Sequence, residues 1–125
     1  MEKVETTTAP AALGPYSQAV ITNGFVFVSG QLPINPVTGE IDGENAKSQA
    51  NQVLMNIENI LSACGSNLGK VVKSALYITD IDEFGEINQV YSRYFSEGVL
   101  PARVCIEVSK LPKNAMIEMN VIAEL

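Results

Sequence analysis

The chain has 125 residues, of which 14 are Asp or Glu and 8 are Lys or Arg, so its net charge is −6. A chain of this length forms one domain, here residues 1–125, and can bury roughly two-thirds of the surface that its unfolded form exposes. The negative charge disfavours nonspecific contact with nucleic-acid phosphates or anionic membranes, so an anionic ligand would have to be bound by a local cation.

Several classes of protein are excluded by what the sequence lacks. It contains no histidine and only two cysteines, Cys64 and Cys105, whose spacing fits neither a disulfide scaffold nor a metal site. It has no run of eighteen apolar residues, no apolar signal region and no glycine-rich phosphate loop. We therefore expect a protein of the reducing cytoplasm that has no metal and no membrane or nucleic-acid partner.

The N-terminal segments predict short antiparallel strands. Residues 3–8 favour an edge strand that stops at Ala9-Pro10. Strands predicted over residues 17–22 and 25–30 flank Asn23-Gly24. This dipeptide is the strongest hairpin signal in the chain, because a type I′ turn needs positive φ at both central positions.

The predicted turn fixes the register of the hairpin. Val20 pairs with Phe27 and Gln18 with Ser29, which places Ser29 at the end of the ribbon away from the turn. Taken alone, Ser29 is explained as a strand-end hydroxyl and Tyr16 as a capping phenol. Their positions alone therefore indicate no function for these two side chains.

A loop and a helix follow. The prolines and glycines of residues 31–44 predict an irregular loop that could cover a site. Asn45 is then a helix cap, and apolar residues recur at helical spacing until Gly65. The residues of this core-facing stripe are Ala46, Ala50, Val53, Leu54, Ile57, Ile60, Leu61 and Cys64.

A strand over residues 71–79 precedes a second helix. Asp80 or Asp82 caps this helix, which is predicted to end at Gly98. Asn88 lies on its flank and, taken alone, is explained as a surface amide. The residues predicted to face inward are Phe84, Ile87, Tyr91, Tyr94 and Phe95.

Two segments near the C-terminus carry the least ordinary residues of the chain. Over residues 101–108, period-two alternation places Arg103 and Cys105 on one face of a strand and the valines and isoleucine on the other. A turn containing Pro112 interrupts the pattern, and a second strand carries Glu118 in an apolar run. If these segments pair, a guanidinium, a thiol and a carboxylate lie on neighbouring strands.

Each of these three side chains also has a structural explanation. Arg103 can be a solvated or salt-bridged strand end, and Cys105 a small buried apolar residue, since no histidine is present to activate it. Glu118 lies between Ile117 and Met119. It is harder to explain structurally, because burying a carboxylate is costly unless the group is paired or used.

The order of elements predicts an α+β fold in which two helices pack on one face of a single mixed β-sheet. Two helices leave the other face uncovered, although several strands are apolar on both sides. An uncovered face of this kind predicts a homo-oligomer. The alternating residues are Phe25 and Phe27 opposed to Val26 and Val28, and Leu76 and Ile78 opposed to Ala75 and Tyr77.

Motifs along nearly the whole chain resemble one known family. They are Pro101-Ala102-Arg103-Val104-Cys105-Ile106-Glu107-Val108, Leu111-Pro112, Ile117-Glu118-Met119, Gly14-Pro15-Tyr16-Ser17-Gln18-Ala19, Val28-Ser29-Gly30-Gln31, and Asn88 within Phe84…Asn88…Tyr91. In these motifs the chain resembles the RidA/YjgF family of imine and enamine deaminases. The resemblance implies a chorismate-mutase-like (YjgF-type) fold in a homotrimer, with the sheets lining the centre and the active sites in clefts between adjacent subunits.

The resemblance also implies an activity that needs no cofactor. This activity is hydrolysis of 2-aminoacrylate, 2-iminobutanoate or 2-iminopropanoate to a 2-keto acid and ammonia. Arg103 would bind the substrate carboxylate through its planar fork of donors, and Glu118 would position water as a general base or proton shuttle. The other implied site residues are Tyr16, Ser29 and Gly30, which bind or orient substrate or water, Asn88, which lines or braces the cleft, and Cys105, whose backbone carbonyl region holds the imine nitrogen.

Other functions described for the family define the alternatives. They include translation inhibition, RNA cleavage, and regulatory or chaperone-like binding. The net charge of −6 and the absence of histidine disfavour RNA cleavage. A regulatory trimer that binds small ligands through Arg103 without turnover stays open, although the presence of Glu118 favours turnover.

Overall fold

The computed structural model describes residues 1–125 as a six-stranded mixed sheet with two α-helices. The helices are α1 (Ala46–Ala63) and α2 (Phe84–Tyr94). In space the strands are ordered β1-β2-β3-β6-β4-β5, and every neighbouring pair is antiparallel except β4 and β5. The strands are β1 (Glu2–Val4), β2 (Ala19–Thr22), β3 (Phe25–Gln31), β4 (Val71–Ile78), β5 (Ala102–Glu107) and β6 (Ile117–Glu124).

The β2–β3 hairpin has the predicted turn and register. Asn23 and Gly24 adopt φ values of 50° and 79°, as a type I′ turn requires. Val20 pairs with Phe27, and two residues further from the turn the Ser29 backbone N–H donates to the Gln18 carbonyl. The local turn chemistry was therefore sufficient to set this ribbon.

The first strand is shorter than the predicted 3–8, because β1 ends at Val4. After Val4, the buried Gln18 side chain forms the backbone hydrogen bonds of residues 6–10 that a neighbouring strand would otherwise form. Its amide oxygen accepts from the Thr6 N–H at 2.7 Å, and its amide nitrogen donates to the Thr6 and Pro10 carbonyls at 3.0 and 2.7 Å. The chain therefore leaves the sheet and loops towards Tyr16.

The two helices pack on the same face of the sheet, which confirms the predicted α+β arrangement. The predicted cap Asn45 accepts from the Ser48 N–H at 2.8 Å at the start of α1. Asp80 caps a single 3₁₀ turn, Ile81–Glu83, that leads into α2. The predicted end of α2 at Gly98 is wrong, since Phe95 already leaves the helical region at φ −118° and ψ 80°. Neither helix is long and apolar enough to cross a membrane.

Strand alternation divides the sheet into a helix-covered face and an open face. Residues such as Val26, Leu76 and Met119 point to the helices and are at most 1% exposed. The open face carries exposed apolar side chains on strands from both halves of the sheet. These are Phe25, Phe27, Val104 and Ile106, with exposed fractions of 37, 43, 44 and 45%.

Candidate functional site

The strand order separates the two segments that carry the predicted site. The expected pairing of the Arg103 and Glu118 strands is wrong, because β4 lies between β5 and β6. The reason is the β4–α2–β5 connection, since a strand that returns through a crossover helix lies parallel to the strand it left. β6 then pairs with the other side of β4 and closes the gap to β3.

Arg103 and Glu118 also point to opposite faces of the sheet. Arg103 is level with Ser74 of β4, and Glu118 is level with Tyr77. Positions 74 and 77 differ by an odd number, so their side chains project from opposite faces. Arg103 thus lies on the helix side of the edge strand β5, and Glu118 lies on the open face. In one chain the predicted meeting of these two groups does not occur.

Arg103 is held by uncharged partners from α2. Its Nη1 donates to Asn88 Oδ1 at 2.7 Å, and its Cζ lies 5.0 Å from the Phe84 ring centroid and 4.7 Å from that of Tyr91. The single ion pair of the chain is elsewhere, between Lys3 and Glu5. Arg103 is therefore an exposed, oriented cation without a counter-ion, in a protein of net charge −6.

Helical spacing alone predicted a surface amide at Asn88 and core residues at Phe84 and Tyr91, and only the family resemblance assigned Asn88 to the cleft. Both rings do pack in or against the core, which confirms that prediction, but both also contact Arg103. The spacing 84, 88 and 91 places all three side chains on one face of α2, directly over Arg103. This i, i+4, i+7 pattern beside a strand cation was the available signal.

Cys105 shares the helix-side face of β5 with Arg103 and is half-buried. Burial raises the pKa of its thiol above the ordinary value, and the nearby Arg103 charge only partly opposes this. At neutral pH the thiol is therefore protonated. A protonated thiol is a poor nucleophile, so this position does not favour covalent chemistry.

Glu118 and Gly30 form a second cluster, on the open face. The register of β3 and β6 shifts between Val28 and Gln31, which marks a bulge at Ser29-Gly30. A Cβ on Gly30 would lie 2.6 Å from Glu118 Oε1, so the carboxylate occupies the space that a side chain at position 30 would fill. Glu118 is half-buried, and this burial raises the pKa of its carboxyl group.

Tyr16 and Ser29 flank this second cluster. Tyr16 and Gly30 both line a cavity of about 50 Å³, and Tyr16 is 55% exposed. The Ser29 hydroxyl donates to the Ser17 carbonyl at 2.6 Å, so it fastens the start of the hairpin. The structure thus groups Arg103, Cys105 and Asn88 at the β5 edge and Glu118, Gly30 and Tyr16 near the β3 bulge. No group of three His, Cys, Asp or Glu side chains is placed to hold a metal ion.

A single mixed sheet with two helices on one face is the architecture expected of a YjgF-type domain, and comparisons with known proteins agree. The family model for Endoribonuclease L-PSP matches residues 6–125. A RutC family protein of Pyrococcus abyssi is 48% identical over 122 residues, which cover 98% of this chain and 95% of that protein.

Solved structures give the same result. RidA from an Antarctic Psychrobacter is 40% identical, with a TM-score of 0.95 and full coverage of both chains. Escherichia coli TdcF, solved with bound serine, is 39% identical with a TM-score of 0.95, covering 100% of this chain and 99% of that one. The chain therefore belongs to the Endoribonuclease L-PSP family, which includes the RutC and RidA proteins.

Proposed function

We propose that this protein hydrolyses small 2-imino acids and their enamine tautomers, such as 2-aminoacrylate, 2-iminobutanoate and 2-iminopropanoate, to 2-keto acids and ammonia. The observation that carries the proposal is the uncompensated, oriented Arg103 cation beside neutral partners. Asn88 takes one N–H of Nη1, which leaves the other guanidinium N–H groups for a ligand. A planar guanidinium matches a carboxylate in a bidentate geometry.

The proposed reaction adds water across the C=N bond. The substrate carboxylate binds Arg103 while Glu118 accepts a proton from the attacking water, whose oxygen bonds to the imine carbon. The protonated Glu118 returns this proton to the nitrogen, and the C–N bond then breaks as the hydroxyl of the tetrahedral intermediate loses its proton to the departing nitrogen, which leaves a C=O group and ammonia. Because the imine is already an activated electrophile, the step needs no cofactor.

The opposite directions of Arg103 and Glu118 mean that this site requires two copies of the chain. We infer that the apolar open face packs against neighbouring copies in a homotrimer, with Arg103 of β5 in one subunit approaching Glu118 of the next. The exposed apolar residues of β3 and β5 support this association, because a surface of this kind is costly to leave in water. Tyr16, Ser29 and Gly30 would then bind or orient substrate or water, and the Cys105 carbonyl would accept from the imine nitrogen.

The proposed activity is tested by generating 2-iminobutanoate in situ with a threonine dehydratase. We expect the protein to accelerate release of 2-oxobutanoate and ammonia above the rate of spontaneous hydrolysis. Catalytic amounts should suffice, since the protein is not consumed. A rate that stays at the spontaneous value would contradict the deaminase proposal.

Mixing two inactive variants tests whether the site is shared between chains. Arg103→Ala and Glu118→Gln are each expected to keep about one hundredth of the wild-type activity or less, but trimers reassembled from equal amounts of both should recover about a quarter of it. This fraction is the chance that one randomly assembled interface receives an intact Arg103 from one subunit and an intact Glu118 from the next. If the site lay within one chain, the mixture would stay inactive, and mixing Arg103→Ala with itself serves as the control.

Replacing Cys105 by alanine should leave most of the activity in place. The thiol pKa is raised by burial, so the group is not an available nucleophile, and the substitution leaves the backbone carbonyl unchanged. We expect kcat/KM within about fivefold of wild type, set by small changes in pocket shape. Steady-state kinetics check this, and a loss as large as that of Arg103→Ala would indicate covalent catalysis.

A second candidate is supported by the serine bound to E. coli TdcF. Serine has a carboxylate but no C=N bond, so a related protein can bind a ligand that it cannot hydrolyse in this way. The alternative is therefore a ligand-binding regulatory trimer that uses the same Arg103 cluster. Saturable, Arg103-dependent binding of 2-oxobutanoate by calorimetry, without acceleration of imine hydrolysis, would favour it.

A further inference from the structure

The ring of Tyr91 lies against the Arg103 guanidinium in a way that goes beyond core packing. Its centroid is 4.7 Å from Arg103 Cζ, and Phe84 supplies a second ring at 5.0 Å. Both distances are within the range in which a ring quadrupole attracts a cation. Tyr91 is only 7% exposed, so its ring is shielded from water although Arg103 itself is exposed.

Tyr91 is itself held in place by β4. Its hydroxyl and the Ser74 hydroxyl share a buried hydrogen bond of 2.7 Å, and Ser74 is level with Arg103 in the β4–β5 register. Phe95 also packs against the Tyr91 ring, with centroids 4.5 Å apart. The ring is thus held by a hydrogen bond and by a second aromatic ring as well as by its contact with Arg103.

The phenol has no role as an acid or base near neutral pH. Burial raises its pKa above the ordinary value, while the Ser74 hydrogen bond and the Arg103 charge act in the opposite direction. The phenol therefore stays neutral and does not form an ion pair with Arg103. What it supplies to Arg103 is an oriented aromatic face.

We propose that Tyr91 is a positioning residue for Arg103. The Asn88 bond fixes one guanidinium nitrogen but still allows the plane of the group to rotate about that contact. The Tyr91 ring restricts this rotation and so orients the guanidinium N–H groups that Asn88 leaves free. Ser74 in turn holds the ring through its hydrogen bond. The effect on substrate rests on the proposed function, whereas the effect on Arg103 itself does not.

The test that needs no substrate is NMR relaxation of the Arg103 Nε–H group in the full-length protein. Wild type should show an ordered Arg103 side chain and Tyr91→Leu a mobile one, and Tyr91→Phe, which keeps the ring but loses its hydrogen bond to Ser74, should fall between them. Tyr94→Leu is the matched control, because Tyr94 is a half-buried tyrosine of α2 whose hydroxyl bonds Asn51 instead. An Arg103 that stays ordered in Tyr91→Leu, or loses as much order in Tyr94→Leu, would overturn the proposal.

A smaller substitution, Ser74→Ala, tests the proposal if Tyr91→Leu does not fold. Ser74→Ala keeps the ring but removes its hydrogen bond, so Arg103 should become measurably more mobile, and an unchanged Arg103 overturns the proposal.

With imine substrate, Tyr91→Leu should raise KM about fivefold with a smaller change in kcat, and it should have no further effect in an Arg103→Ala background. If the wild type shows no deaminase activity, the proposed function fails while the relaxation data still decide the role of Tyr91.

Discussion

Arg103→Ala is expected to lower kcat/KM for 2-iminobutanoate by about 100-fold or more, because charge-assisted hydrogen bonds to a carboxylate contribute roughly 1.5–3 kcal/mol each. The substitution leaves Phe84, Tyr91 and Asn88 with an exposed gap in place of their cation, and no buried ion pair is broken. The fold should therefore survive. Steady-state kinetics and calorimetric binding of 2-oxobutanoate measure the loss, and thermal unfolding checks the fold.

Two further variants separate the charge of Arg103 from its availability. Arg103→Lys keeps the charge but not the planar fork, so it should recover only a minor part of the activity. Asn88→Asp keeps the shape of the Arg103 partner but introduces a carboxylate 2.7 Å from Nη1, at the position of the present amide oxygen. This internal counter-ion should weaken substrate binding more than Asn88→Ala does. Equal losses in the Asp and Ala variants would show that the net charge at Arg103 does not matter for binding.

Local chemistry accounts for the parts of the fold that the sequence predicted well. Asn23-Gly24 sets the hairpin register because turn type and strand twist are coupled, and Asn45 starts α1 because its side chain satisfies a free backbone N–H. The end of β1 was not predictable in this way. It depends on Gln18, whose side chain bonds Thr6 from twelve residues away.

In the candidate site, too, the features that depend on distant residues were not predictable from local sequence. Alternation within β5 correctly placed Arg103 and Cys105 on one face, since that pattern is internal to the strand. Whether Arg103 and Glu118 point to the same face of the sheet depends instead on the strand between them, β4, and on its registers with β5 and β6. Neither the order of the strands nor these registers can be derived from the two segments that carry Arg103 and Glu118. The sequence therefore named candidate site residues and predicted an open apolar sheet face, but it did not predict that Arg103 and Glu118 face apart in one chain.

Glu118→Gln is expected to lower kcat by about 100-fold or more, the range typical of losing a positioned general base. The substitution keeps the size of the side chain beside Gly30 and removes only its ability to accept a proton. In the wild type, burial raises the pKa of Glu118, so activity should rise with pH through that raised pKa as the carboxylate forms. The variant should lack this acidic limb, and pH–rate profiles of both proteins check it. An unchanged acidic limb in Glu118→Gln would assign the base to another group.

The same carboxyl group predicts a pH-dependent stability difference with a definite sign. Because the folded pKa lies above the unfolded value, the folded state binds more protons than the unfolded state between the two, and stability falls as pH rises through this window. Glu118→Gln has no such group, so at neutral pH, and at protein concentrations low enough that no Arg103 of a second subunit reaches position 118, it should unfold at a higher denaturant concentration than the wild type. The difference should disappear below the unfolded pKa of about 4.3. Urea titrations at acidic and neutral pH measure it, and a variant less stable than wild type at neutral pH would show that the carboxylate is stabilised by a partner, as an approaching Arg103 of a second subunit would provide.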